Sequence, residues 1–398
     1  MGRRSPPPAT PRRVARGLTR LRRGAVALAL LTAVGCGDGT RPVAEGPPPR
    51  QGVVGISAAG EVLFDRVLGA GGPTNPAGSA FVSVVATSDR YVGLDPTTGA
   101  ERWTARGGRF PALVAGGTVL VDRGSNAVDA LDAVTGRVRW TTAGMNVLTA
   151  DADVAIASYR PRLGAGVVLP PGTTPEQSGE QTVALDLRNG ATMWQAPAPR
   201  GMQAPRLVVD ALVTCDADGL VRALARADGA ERWRVPLGEN AGGVVVATTD
   251  VVGLEAAGRL VVLDLATGRR LWTATLPDDS SGPTTTAALG GLIVVTGSAG
   301  TTAFRSRTGE RAWDTDVAGS EVLVLADPPT VVVLDGTRRT VIGLDPRAGS
   351  RRWTRELSAP GLDAVVGPAT PLDGGPLLLT TGYDVPRAPR LMPRQGTA

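Results

Sequence analysis

One eleven-residue pattern returns along the chain at a nearly constant interval, and it restricts the fold more than any other feature. It reads GLDPTTGAERW at 93–103, then ALDAVTGRVRW ending at Trp140, ALDLRNGATMW ending at Trp194 and VLDLATGRRLW ending at Trp272. All seven tryptophans hold the last place of this unit: Trp103, Trp140, Trp194, Trp233, Trp272, Trp313 and Trp353. Four residues earlier stands a glycine each time: Gly99, Gly136, Gly190, Gly229, Gly268, Gly309 and Gly349. Nine residues earlier stands Leu or Phe, and eight earlier stands Asp in five copies (Asp95, Asp132, Asp186, Asp264, Asp345). An eighth copy, AAGEVLF, places Gly60 four residues before Phe64. From Phe64 the spacings run 39, 37, 54, 39, 39, 41 and 40. A period near 40 marks a repeat architecture, in which a unit buries its apolar faces only by stacking on its neighbours.

The inside of a unit points to strands. Residues 110–140 hold four short apolar runs, PALVA, TVLVD, AVDALD and VRW, separated by Gly116–Gly117, Gly124–Ser125 and Thr135–Gly136. Short Val-rich runs bounded by turn residues predict four strands, here named A to D. The LD-x-x-TG link between C and D predicts a tight hairpin. Its glycine supplies a left-handed residue and its Asp caps backbone N–H groups. Five Asp residues at one turn position therefore have a structural use and do not form a catalytic set. The Trp, and Phe64 in the first unit, falls on strand D. A large ring there is expected to cover the seam to the next unit, its N–H finding a carbonyl.

The two ends of the chain complement each other. The first unit, about 52–66, has only C and D strands, and the segments GLDAVVG and PLLLTTGYD after Trp353 supply only A and B. Together they make one blade, which removes the open edges of the array. The expectation is an all-β, eight-bladed β-propeller of four-stranded antiparallel blades, closed by N-terminal C/D strands pairing with C-terminal A/B strands.

The recurring A-L-D-x-x-T-G-x-x-x-W resembles the pyrroloquinoline-quinone-like (PQQ-like) propeller repeat, over about residues 52–385. WD40 repeats carry a Gly-His pair, and this chain has no His. The resemblance implies one of two branches. Quinoprotein dehydrogenases of the family hold PQQ and calcium, use an Asp base and often carry a disulfide between adjacent cysteines. The other branch is non-catalytic. It includes the lipoprotein subunit of the outer-membrane β-barrel assembly machine and sensor modules of membrane kinases. Only Cys36 and Cys215 are present, and they are far apart. No Glu/Asn/Asp cluster stands out as a metal site. The expectation is the second branch, without PQQ, calcium or another metal, and with no catalytic residue.

Charge argues the same way. The 42 basic residues are all Arg, and eight of them lie in residues 1–35 with no acid among them. The remainder has 34 Arg against 37 acidic residues, a balance of about −3, so nucleic acid is not an expected partner. That Arg-rich start precedes the apolar run GAVALALLTAVG and then Cys36. The run falls short of the ~20 residues that span a bilayer and predicts a secretory signal. AVGC resembles a lipobox, with Ala33 where that family prefers Leu, and it makes Cys36 the expected lipidation site. The competing reading is an ordinary Sec or twin-arginine signal. Cys215, in the strand-like ALVTCDADG, is expected to be a buried thiol.

The expected organisation is therefore a lipoprotein signal at 1–35, a flexible tether at 36–51, the propeller at 52–386 and a disordered tail at 387–398. The 54-residue spacing before Trp194 contains an insertion of about fifteen residues near 161–181, rich in Pro, Gly, Ser and Thr, between strands B and C. It points to the B–C/D–A loop face as the surface for a protein partner, with Arg160 and Arg162 facing an acidic one. The function expected is an exported scaffold or protein-binding module, held on the outer side of a cell membrane by its lipid. The alternatives are a PQQ/calcium dehydrogenase and an extracytoplasmic small-molecule sensor.

Overall fold

The computed structural model describes residues 50–70, 77–79, 81–86, 90–107, 112–124, 127–159, 179–238, 241–276, 285–335, 339–357, 362–365, 370–371 and 377–383. Among these, every regular element is a β-strand. Seven four-stranded antiparallel sheets follow one another in sequence. Blade 1 runs from Ala77–Gly78 through Ser83–Ala86 and Arg90–Leu94 to Glu101–Arg106. Blade 2 is Leu113–Ala115, Thr118–Gly124, Ala127–Asp132 and Val138–Ala143. Blades 3, 4, 5, 6 and 7 end on the D strands Thr192–Pro197, Glu231–Pro236, Arg270–Thr275, Arg311–Thr315 and Arg351–Glu356.

Blade 8 is the composite. Strand C, Arg50–Ile56, pairs on one side with strand D, Val62–Ala70, and on the other with strand B, Leu377–Tyr383, which pairs with strand A, Leu362–Val365. A two-residue strand, Thr370–Pro371, also pairs with Leu377–Tyr383. Inner strands of consecutive blades touch all the way round. The last step runs from Glu321–Ala326 of blade 7 to Thr370–Pro371 and on to Ala77–Gly78 of blade 1. The protein is an eight-bladed β-propeller. Arg50 and Gln51, which lack strand patterning, are in strand C because Tyr383 and Gly382 offer them backbone partners.

The core is divided by seams rather than by blades. Eight apolar clusters form among the described residues, and each joins two adjacent blades. Val121 and Leu131 of blade 2, for example, pack with Val84 and Tyr91 of blade 1. Strands B and C consequently lie between neighbours on both faces, which is why Val331, Val332, Val333 and Leu334 are buried in succession. Strand D of blades 1 to 7 is buried at one position at most: in Val138–Ala143 only Trp140 is buried.

Candidate functional site

Each seam is built around one ring. Trp103 donates its indole N–H to the carbonyl of Ala133 in the next blade at 2.9 Å. Trp140, Trp194, Trp233, Trp272 and Trp313 do the same to Leu187, Arg226, Leu265, Ser306 and Pro346, at 2.7 to 2.9 Å. Trp353 donates to Ala58 of blade 8, across the chain's closure, at 2.9 Å. The repeat glycine of the next blade lies flat on each ring, with Gly136 on Trp103, Gly190 on Trp140 and Gly229 on Trp194. Gly268 lies on Trp233, Gly309 on Trp272, Gly349 on Trp313, Gly60 on Trp353 and Gly99 on Phe64. All eight glycines have φ between 66° and 81°.

Two features under the ring are not part of the sequence expectation. A β-bulge between strands C and D recurs, such that Trp140 pairs with Ala130 while Val138 pairs with Leu131. The same shift appears at Trp103, Trp194, Trp233, Trp272, Trp313 and Trp353. It turns the strand so that the ring lies over its own strand C. The residue opposite is then small: Gly93, Ala130, Ala184, Ala223, Ala303 or Gly343. Blade 5 has Val262 there, and Trp272 is only half-buried, with Phe304 of the next blade tilted against it at 5.7 Å. The signal was the Gly or Ala ten residues before six of the seven Trp residues.

The Asp of the C–D turn is shared between backbone and Arg. Asp132 Oδ1 accepts the N–H groups of Val134 and Thr135 at 3.1 and 2.8 Å, while Oδ2 pairs with Arg139. The Arg139 hydrogen bond, together with the Thr135 N–H, holds the Asp132 carboxyl at about 2. The Thr97 hydroxyl and the turn N–H groups likewise push Asp95 below the usual range, and Arg352 does so for Asp345. The pairing follows the residue just before each Trp. Arg102, Arg139 and Arg352 bind their own turn Asp. In blade 4, where Ala225 replaces the Asp, Arg232 turns to Asp210 at 2.7 Å.

Chemically reactive groups are sparse. Cys215 is fully buried, and burial pushes its thiol up to about 11. Among the described residues no three His, Cys, Asp or Glu side chains gather in a metal-binding group. No described helix is long and apolar enough to cross a membrane, which says nothing of strands. Cys36, Arg160 and Arg162, as well as the tail at 387–398, lie outside the described residues.

One surface stands out instead. Among the described residues, seven large apolar side chains are between 39% and 56% exposed: Val62, Leu63, Phe81, Val134, Val138, Met193 and Val209. Phe81 and Val209 lie in A–B turns, Val134 in a C–D turn, and the others at the start of D strands. All seven are therefore at the A–B/C–D end, on the five consecutive blades 8, 1, 2, 3 and 4. Val209 is at φ 46°, a left-handed conformation that a β-branched residue adopts only under strain.

A family profile described as outer membrane protein assembly factor BamB matches residues 49–212 and again 217–376. No curated protein matches the chain. Among solved structures, BamB from Moraxella catarrhalis is 17% identical, covering 84% of this chain and 91% of its own, with a TM-score of 0.51. The computationally designed Ika8 protein is 14% identical over 79% of this chain and 98% of its own, with a TM-score of 0.55. Quinohemoprotein alcohol dehydrogenase from Comamonas testosteroni is 11% identical over 78% and 74%, with a TM-score of 0.50. At these identities the likenesses concern the fold alone.

Proposed function

The chain belongs to the PQQ-like β-propeller family whose profile is described as outer membrane protein assembly factor BamB, and from that premise we propose that it is a non-catalytic scaffold docking a protein partner. It works outside the cytoplasm, exported by the segment at 1–35 and anchored through a lipid on Cys36, without PQQ or calcium. The observation that carries the reading is the gathering of Val62, Leu63, Phe81, Val134, Val138, Met193 and Val209 at one end. Exposed apolar residues scattered singly need no explanation, but a set that, among the described residues, gathers at one end of consecutive blades marks an interaction surface. Nothing in the seam chemistry requires them there, because each ring is already covered by its glycine.

The docking surface is accordingly the A–B/C–D end of blades 8 and 1–4. The B–C/D–A face, to which the insertion near 161–181 points, is the competing location. Replacing Val138 and Met193 together by Asp tests the assignment in cells. The account expects the complex with the partner to be lost while the melting temperature of the purified protein stays within ~2 °C, since exposed sites change stability little. An intact complex would overturn the assignment. Turnover of an alcohol by the protein reconstituted with PQQ and calcium would overturn the non-catalytic reading.

A further inference from the structure

The seam between blades 6 and 7 holds an open cavity of about 480 Å³ at the A–B/C–D end. Its origin is visible by comparison with the other seams. At two of them an Arg from one blade's C–D turn is held by carboxylates of the preceding blade. Arg226 reaches Asp151 at 2.7 Å and Asp153 at 3.5 Å, and Arg307 reaches Asp250 at 3.1 Å and Asp264 at 3.4 Å. Counted back from the Trp, Arg347 of blade 7 occupies the place of Arg307. The places of Asp250 and Asp264 are taken in blade 6 by Gly291 and Arg305. Both protein carboxylates are gone, and one has become a second Arg.

The side chain that closes this recess elsewhere is missing too. Just before the Trp, Arg102, Arg139 and Arg352 reach back to Phe81 O, Thr118 Oγ1 and Pro329 O at the start of their own B strands. Blade 6 has Ala312 in that position. A Cβ on Gly290 or Gly291 would meet no atom within 4 Å, so the A–B turn leaves the space open as well. The remaining walls include Leu289, Pro329 and Pro346, with Arg305 and Arg347 at the rim. Among the described residues no carboxylate pairs with Arg347. Glu310 stands 3.8 Å from Arg305, both side chains being largely in solvent.

We propose that this recess binds a small carboxylate with an apolar body, the carboxylate replacing the two that Asp250 and Asp264 supply one seam earlier. The guanidinium fork matches a planar carboxylate, and the volume is that of small-molecule sites, ~300–1,000 Å³. The site is separate from the docking surface on blades 8 and 1–4, so either assignment stands if the other fails.

Octanoate and its neutral counterpart octanol, titrated into the full protein by calorimetry and NMR, provide the test. Octanoate is expected to bind saturably at one site and octanol at least tenfold more weakly. Arg347→Ala should weaken octanoate at least tenfold. The pair Ala312→Arg with Arg305→Asp gives blade 6 the arrangement of Arg352 and Asp345, so it should keep the fold while removing the site. Equal binding of octanoate and octanol, undiminished binding by the filled variant with an unchanged melting temperature, or no saturable binding at all would overturn the proposal.

Discussion

Gly136 is subject to two separate constraints. Its φ of 67° favours the absence of a side chain, and a Cβ built on it would stand 2.6 Å from the Trp103 ring. Gly258 has φ 73° but open space around its Cβ position. Gly258→Ala should therefore cost only the left-handed conformation, about 1–2 kcal/mol. Gly136→Ala should add overpacking against the ring, for a total of about 2–5 kcal/mol. Urea denaturation of the two variants checks this; equal losses would mean that the ring does not rest on the glycine. Val209 tests the opposite direction. Val209→Asn relieves a left-handed β-branched residue and should stabilise the protein by about 0.5–1 kcal/mol, seen as a raised melting temperature. It should also weaken partner binding, because the proposed docking surface would lose an exposed apolar side chain.

At the scale of the hairpin, the Asp turn ties stability to pH. Asp132 titrates near 2 in the folded protein against 3.8 ordinarily, so its contribution is complete above about pH 4 and is lost as pH falls toward 2. Asp132→Asn keeps the turn acceptor but loses the negative charge that faces Arg139. The melting temperature of this variant should fall less steeply between pH 5 and 2 than that of the parent, and parallel acid limbs would contradict the assignment. The hairpin also shows what was legible beforehand. Gly136, Asp132 and Trp140 stood out because they recur at fixed offsets. The bulge did not, because an extra residue on one strand leaves no mark in a spacing counted along the same strand. Ala130, beneath the ring, and Arg139, beside it, do recur, but a small residue and an Arg on a strand are too common to stand out. The apolar end was hidden for another reason: Val138 and Met193 look like any strand residues until the bulge directs them outward.

For the whole molecule, stability rests on closure. Eight seam clusters make a ring only because Leu377–Tyr383 pairs with Arg50–Ile56. A chain ending at residue 360 should leave blade 8 as a two-stranded ribbon with an open edge. We expect a lower and broader thermal transition by calorimetry, whereas a chain ending at residue 386 should melt as the parent does. The apolar side chains of blade 8 stand on the strand that leads into blade 1, next in the ring to those of blades 1 to 4, on a surface that no single repeat could present. The function proposed here depends on that continuity, and its location is the claim most open to a direct check. A photo-crosslinking amino acid placed in intact cells at Val138 or Met193, and separately at Val168 in the B–C insertion, would report which end meets the partner. The account predicts one discrete protein adduct from Val138 and Met193 and none from Val168. An adduct from Val168 alone would contradict it.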